Sequence, residues 1–472
     1  MNRRMKLAWC AVGMCLAGFA AVSPLGEQTR PTMPLRTASL EPMPLPVFDT
    51  AASASGEWLV VTGGFDGSLN ATPAIQVHHA IRGWRPVSTQ LAHPRARHTQ
   101  TTLPDGRILV VGGVQGAIGH QADDALAPLH SAEIVHPLMT GSEVLDLTEP
   151  LVGHTAHLLP DGRVAIVGGD WVRLFDADTN AFSEAIRLKR PRRHHAAVLW
   201  LREEVPQDSA PGAKQQEGDD PEFRLVEQEL SINLVPTARG ASIGATMEPQ
   251  RVEIPQAVDE PAPRAKRLVL LIVGGEDESS IEEVDLEARR SRLWETALAS
   301  LLSDAAAIAC ADGRVLVVGG VEQASGGSSS SAASDQAEGS LTWWLSADQR
   351  ITPGPDVDLP VGTASAVMFI DPLDGSISVL GGEQRRPDRI EALQSGRLIR
   401  GSGRRIFGLS LPAPSSSFGR RCWIRCGNSE IAAVGGYRFV SEQEARESGE
   451  TPGVHLRAEI DVIRLPSPIG GD

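Results

Sequence analysis

One nine-residue pattern recurs along the chain and restricts the folds open to it. It reads DGRILVVGG at 105–113, DGRVAIVGG at 161–169 and DGRVLVVGG at 312–320. Asp-Gly is typical of a tight hairpin turn. The unbroken apolar run that follows predicts a strand covered on both faces. The glycine pair permits a positive φ or a close backbone approach. Each copy therefore predicts a hairpin with one buried strand and a sharp exit.

Apolar runs that end in a glycine pair occur seven times, and most lie about 45 to 60 residues apart, which is the spacing of propeller blades. The pairs are Gly63-Gly64, Gly112-Gly113, Gly168-Gly169, Gly274-Gly275, Gly319-Gly320, Gly381-Gly382 and Gly435-Gly436. A ring of stacked sheets covers both faces of each sheet. The sequence therefore predicts an all-β, seven-bladed β-propeller with four antiparallel strands per blade.

The second half of each repeat carries an Asp-rich turn and a returning aromatic, as in VRLFDADTNAF at 172–182. We interpret Trp84, Phe182 and Trp294 as packing between blades. The order of strand, Asp-Gly, strand, Gly-Gly, strand, Asp-x-x-Thr-Asn and aromatic resembles the kelch repeat over nearly all of residues 35–465. The chain departs from the kelch pattern in having one tyrosine, Tyr437.

The kelch resemblance implies a bacterial, exported, galactose-oxidase-like propeller without the copper site. Kelch-like copper radical oxidases need two tyrosines and a cysteine crosslink, and this chain has a single tyrosine. We therefore expect no cofactor. Cys310, Cys422 and Cys426 are too few for a disulfide scaffold and are interpreted as buried or half-buried thiols, with one bridge left open.

The N-terminus has the pattern of an export signal. Arg3, Arg4 and Lys6 precede an apolar run from Leu7 to Phe19, which predicts a signal peptide at 1–20 and a periplasmic or secreted protein. The alternative is an uncleaved membrane anchor, although the run is shorter than the roughly 20 residues of a spanning helix. No later segment is apolar enough to span a bilayer.

The predicted propeller occupies 34–466, after an N-terminal linker at 21–33. Residues near 34–40 are expected to supply the outer strand of the last blade and so close the ring. A polar segment at 203–262 interrupts the fourth blade and has the composition of a largely disordered, acidic insertion. A Gly/Ser-rich loop is predicted at 323–340. The net charge of −15 and a pI near 5.3 argue against a nucleic-acid partner.

Basic and imidazole side chains precede the first strands of several repeats and predict a basic funnel at one end of the channel, which would bind acidic groups through arginine forks. The candidate ligand-binding residues are Arg95, Arg97, His98, His154, Arg192, Arg193, His195 and Arg421. In the structural alternative, these side chains hydrogen-bond the backbones of neighbouring blades. A metal held by the three histidines is a third reading that we do not adopt, because adjacent blades separate their side chains.

No catalytic signature of the common hydrolase, metalloprotease, nucleotide or dinucleotide type occurs in the sequence. We therefore predict a monomeric, non-catalytic module that binds a protein, peptide or glycan, one that carries acidic groups, at the loop-rich mouth of the channel. One alternative is a sugar mutarotase or epimerase, with Glu276, Glu322 and Glu383 as candidate carboxylates or simply solvated loop acids. It requires a carboxylate and a histidine in hydrogen-bond contact at the mouth. Another is a structural component of an envelope assembly tethered by the acidic insertion.

Overall fold

The computed structural model describes residues 32–466 except 56, 119–125, 137–140, 204–265, 300, 324–341, 358, 360–362, 373, 386–389, 394, 402, 404, 412–419, 428 and 441. The predicted signal peptide and most of the linker lie outside the described residues, as do the acidic insertion and the Gly/Ser-rich loop apart from their first residues, Glu203 and Gln323. In the part that is described, no helix is both long and apolar enough to cross a membrane.

Seven antiparallel sheets follow one another along the chain, as the glycine pairs predict. We number the blades 1 to 7 and name the strands A to D in the order in which they pair. Blades 1, 2 and 4 are regular. The strands of blade 1 are Ala51–Ser55, Trp58–Thr62, Ile75–His79 and Gly83–Arg85, and those of blade 2 are Thr99–Thr102, Ile108–Val111, Ser131–Val135 and Ser142–Asp146. Blade 4 has strands Ala196–Glu203, Lys266–Gly275, Glu278–Asp285 and Arg290–Ala297.

Blade 3 differs in that one long strand, Val164–Asp176, pairs first with Thr155–Leu158 and then with Ala181–Phe182 and Ile186–Arg192. Blades 5 and 6 are again regular. Their strands are Ala306–Ala309, Val315–Val318, Thr342–Leu345 and Ile351–Pro353, and Val367–Ile370, Ile377–Leu380, Ser395–Arg400 and Arg405–Ser410.

Blade 7 is closed by the beginning of the chain. Its strands A to C are Cys422–Arg425, Glu430–Val434 and Asp461–Arg464, and its strand D is Arg36–Ser39. This last strand pairs antiparallel with strand C, so the predicted closure is confirmed. Just before this strand, Thr32–Pro34 adds a parallel strand to the sheet of blade 6, where it pairs with strand D. Among the described residues, the first strand pairing is thus at Thr32, inside the predicted linker.

Shorter ribbons extend the blades at one end. They pair Val114–Gln115 with Ala127–Pro128, Leu301–Ser303 with Val321–Gln323, Glu383–Arg385 with both Thr363–Ala364 and Ile390–Ala392, and Tyr437–Val440 with Gly453–Leu456. A short helix, Glu442–Ser448, joins the two strands of the last ribbon. These ribbons surround the end of the channel that we call the mouth.

In the described residues, seven hydrophobic clusters lie one between each pair of neighbouring blades. An eighth, around Phe48, Phe65, Ala96 and Val114, lies at the mouth. Strand B supplies both sides: Leu109 and Val111 pack toward blade 3, whereas Ile108 and Val110 pack toward blade 1. This alternation explains the unbroken apolar runs. The predicted interblade aromatics Trp84, Phe182 and Trp294 also lie in these clusters.

The glycine pair allows close backbone packing at the end of strand B. A Cβ atom on Gly112 would lie 2.5 Å from the carbonyl oxygen of Leu151 in the approach to blade 3, and one on Gly113 would lie 2.4 Å from that of Ala96. Both glycines have positive φ, 60° and 91°, which side-chain-bearing residues rarely adopt. The two glycines therefore let the turn after strand B of blade 2 pack against Leu151 and Ala96 at once.

The three cysteines of the described region are not bridged. Burial raises the pKa of the Cys310 thiol to about 12 and that of Cys422 to about 11. Cys426 is exposed, so the predicted burial is wrong for that thiol.

Candidate binding site at the channel mouth

Each blade begins with the same backbone feature at the mouth. Two residues before each strand A, the chain passes through a residue with φ between 49° and 64°. We call these seven positions the mouth ring: Asp49, Arg97, Gly153, His194, Asp304, Ser365 and Arg420. Arg97 is one of the candidate ligand-binding residues named from the sequence, and the other six positions are not in that set. The shared signal is a position relative to the strand and not a residue type.

Backbone hydrogen bonds link six of the seven ring positions. The amide of Arg97 donates to Asp49, that of His194 to Gly153, that of Asp304 to His194, and that of Ser365 to Asp304, at 2.7–2.9 Å. Each of these bonds joins two neighbouring blades, so the approaches to strand A lie directly against one another at the mouth.

A charged group joins blades 7, 1 and 2 across this ring. Oδ2 of Asp49 accepts from Nε of Arg97 at 2.9 Å and lies 3.3 Å from Nη1 of Arg420. Nε of Arg420 lies 3.5 Å from Oε2 of Glu383. The charge of Asp49 is the main cause that raises the pKa of Arg420 above its ordinary value. We call Asp49, Arg97, Glu383, Arg420 and the adjacent Tyr437 the Asp49 cluster.

An aromatic floor supports the Asp49 cluster. The rings of Phe48 and Phe65 lie 5.3 Å apart, and that of Tyr437 lies 4.8 Å from Phe48. The guanidinium of Arg97 lies 5.7 Å from the centre of Phe65. Burial is the main cause that raises the pKa of Tyr437. Phe48 and Phe65 are buried, so these two rings support the charged groups above them, whereas Tyr437 is only half-buried.

A histidine and a carboxylate meet on the other side of the ring. Nδ1 of His194 lies 3.0 Å from Oδ1 of Asp304, with 40% and 16% of the two side chains exposed. A Cβ atom on Gly153 would lie 2.9 Å from Nε2 of His194, so the glycine leaves the imidazole room. Neither His194 nor Asp304 was among the predicted site residues, yet they satisfy the contact that the enzyme alternative requires.

Two predicted ligand-binding arginines lie inside the blades. Arg95 and Arg192 are fully buried, and they contact Glu133 at 2.5 Å and Glu282 at 3.2 Å. Each also donates to the carbonyl oxygen of the first glycine in its own blade's pair. Desolvation lowers the pKa of both guanidiniums. This geometry favours the structural alternative, because these arginines connect the approach to strand A with strand C.

Arg421 occupies the histidine position and not the mouth ring. It donates to the carbonyl oxygen of Gly435 at 3.0 Å and pairs with Asp461 at 2.8 Å. Its neighbour Arg420 takes the ring position. Arg193 is exposed beside the ring. The structure thus brings Arg97 and Arg420 together at the mouth and keeps Arg421 within blade 7.

The three predicted histidines are buried between blades. In each, Nε2 lies within 3.1 Å of a threonine hydroxyl of the preceding blade; the pairs are His98 with Thr62, His154 with Thr99, and His195 with Thr155. Desolvation lowers their pKa values to about 3, about 4 and about 3. Across the described part of the chain, no group of three or more His, Cys, Asp or Glu side chains has a metal-binding arrangement.

The three candidate carboxylates have different positions. Glu276 is exposed, and Glu383 is buried beside Arg420. The side chain of Glu322 lies outside the described residues. Of the two whose side chains are described, Glu383 joins the mouth, where it supports an arginine and is not a solvated loop acid.

No family model matches this chain, and no curated protein matches its sequence. Solved structures match its fold. A fungal alcohol oxidase of the AA5 family, in complex with copper, covers 91% of this chain over 76% of its own length, at 11% identity and a TM-score of 0.53. The structure of YjhT covers 78% of this chain over 99% of its own length, at 13% identity and a TM-score of 0.44. At such identity, the likeness to the oxidase shows the fold alone.

Proposed function

We propose that this propeller is a kelch-type, exported binding module whose protein, peptide or glycan ligand docks at the mouth ring. One observation carries the proposal: five of the seven ring positions hold ionisable side chains at the same backbone position of their blades, and backbone hydrogen bonds link six of the seven positions. Function in propellers depends on such a site and not on the fold. A rigid ring loses little conformational entropy when a ligand binds, which favours affinity.

The test is a glycan and peptide array probed with the mature protein and two double variants. Arg97→Gln/Arg420→Gln removes the two ring arginines. Arg187→Gln/Arg350→Gln removes two exposed, ion-paired arginines on outer strands and turns and is the matched control. We expect the ring variant to bind its strongest partner at least tenfold more weakly than the control. Equal binding by both variants would contradict a ligand at the mouth.

Export is tested separately. Mass spectrometry of protein recovered from the periplasm or medium should show a chain that begins close to residue 21. A chain that retains residues 1–20 in the membrane fraction would instead support the uncleaved anchor.

A second candidate function is an enzyme that interconverts sugar forms, and the contact between His194 and Asp304 favours it. An aspartate that accepts from Nδ1 orients the imidazole and leaves Nε2 to act as a general base. This candidate predicts that the protein accelerates the anomeric equilibration of a reducing sugar acid and that His194→Gln removes the acceleration. A wild-type rate equal to the buffer rate would eliminate it.

A further inference from the structure

The Asp49 cluster presents positive charge to the opening. The side chains of Arg97 and Arg420 keep 27% and 23% of their surface exposed, whereas those of Asp49 and Glu383 keep 9% and 2%. The two carboxylates are thus less accessible than the arginine side chains that they contact. A ligand that enters the mouth on this side meets arginine first.

Both guanidiniums are held in place before any ligand arrives. Asp49 contacts Arg97 and Arg420 together, Phe65 lies beneath Arg97, and Glu383 lies beside Arg420. Immobilising a long side chain on binding costs conformational entropy. Folding already fixes these two arginines, so they lose less conformational entropy when a ligand binds.

The charges of the cluster limit the ligand's charge. Two arginines face two carboxylates, so the cluster is formally neutral, and a single negative charge adds less repulsion from Asp49 and Glu383 than a dianion would. A carboxylate is a planar monoanion whose two oxygens match the parallel N–H groups of a guanidinium. The half-buried phenol of Tyr437 borders the same space and supplies a further polar hydrogen.

We infer that the Asp49 cluster is the subsite for one carboxylate group of the ligand, gripped by Arg97 and Arg420 with Tyr437 at its side. The inference rests on the proposed function and deepens it by naming the chemical group that docks. A sugar acid and an acidic peptide side chain share this group, and the experiment separates them.

The chain's only tyrosine makes the test specific. Protein grown with 3-fluorotyrosine carries one ¹⁹F resonance, at position 437. We would titrate it with glucuronate and with acetyl-glutamate amide, and with their neutral counterparts glucuronamide and acetyl-glutamine amide. We expect a saturable shift with at least one carboxylate and at least tenfold weaker binding of its amide. The carboxylate that binds more tightly identifies the source as sugar acid or peptide.

Arginine variants connect the shift to the cluster. Arg420→Gln should weaken the carboxylate titration at least tenfold, and Arg187→Gln should leave it unchanged. Arg97→Gln serves as a second variant if Arg420→Gln does not fold. Resonance shifts of equal size and affinity for acids and amides, or no shift with either acid, would overturn the carboxylate subsite. If the array still shows mouth-dependent binding in that case, the proposed function stands and only the assignment of the carboxylate fails.

Discussion

Lowering the pH from 7 to 5 should destabilise this propeller through His98, His154 and His195. Each is buried between two blades, and desolvation lowers its pKa to about 3 or about 4 from an ordinary 6.5. The unfolded chain therefore takes up a proton below pH 6.5 that the folded chain does not. Stability is full above that pH and falls as the pH decreases toward the folded pKa.

The magnitude follows from this difference in proton binding. At pH 5 an unfolded histidine is almost fully protonated, whereas the native one stays largely neutral. Linkage then gives a loss of about 2 kcal/mol in the free energy of unfolding per histidine between pH 7 and pH 5. For three histidines the loss is about 6 kcal/mol, which is comparable with the whole stability of many proteins, about 5–15 kcal/mol.

Urea unfolding followed by tryptophan fluorescence, at pH 7 and pH 5, measures this loss. Because other groups titrate as well, the informative quantity is the difference between the wild type and His195→Gln. Glutamine cannot take up the proton but can still hydrogen-bond Thr155. We expect the variant to lose about 2 kcal/mol less than the wild type over this pH range.

His455→Gln, at a half-buried position on the ribbon of blade 7, controls for the loss of a histidine as such. An identical pH-dependent loss in the wild type and His195→Gln would contradict this prediction. It would mean that the interblade imidazole accepts its proton as readily in the folded protein as in the unfolded one.

Three further substitutions or deletions test other parts of the account. Glu133→Gln should lower the free energy of unfolding by about 3–5 kcal/mol, because it leaves the fully buried Arg95 charge without its negatively charged partner. Urea unfolding of the double variant Arg95→Met/Glu133→Leu should show that much of this loss is recovered. Gly153→Ala should lower stability by about 1–3 kcal/mol, because its φ of 64° is strained for alanine and its Cβ would meet His194; an unchanged melting curve would contradict this. Deleting residues 1–39 removes strand D of blade 7 and should lower the melting temperature and promote association through the open edge, as light scattering would detect; a monomer with the wild-type melting temperature would show that closure is unimportant.

The blades could be predicted from the sequence because their constraints are local. The Asp-Gly turns, the apolar strands B and the glycine pairs each follow from contacts that every blade repeats. Arg36–Ser39 could be identified as the closing strand because the last repeat lacks a fourth strand of its own. The pairing of Thr32–Pro34 with blade 6 could not, because three residues of one strand carry no pattern.

Most of the mouth ring could not be predicted from the sequence, because its seven members share a backbone conformation and not a side-chain type. Aspartate, arginine, glycine, histidine and serine all occur there, so no motif marks the position. Arg95 resembled a ligand-binding arginine, and its burial depends on Glu133, which lies 38 residues later. Sequence spacing does not reveal such a long-range ion pair. Which of the adjacent residues Arg420 and Arg421 lies at the mouth depends on a shift of one residue along the chain, and only the structure determines it.

Hydrogen–deuterium exchange with the strongest array ligand at saturation tests most directly where this propeller binds. The account predicts added protection of the segments that carry Asp49, Arg97 and Arg420, which form one side of the mouth ring. The Asp-Gly turns at 105–106 and 161–162, which join strands A and B, should be unaffected. Protection of those turns or of the outer strands, with none at the ring, would contradict a ligand site at the mouth.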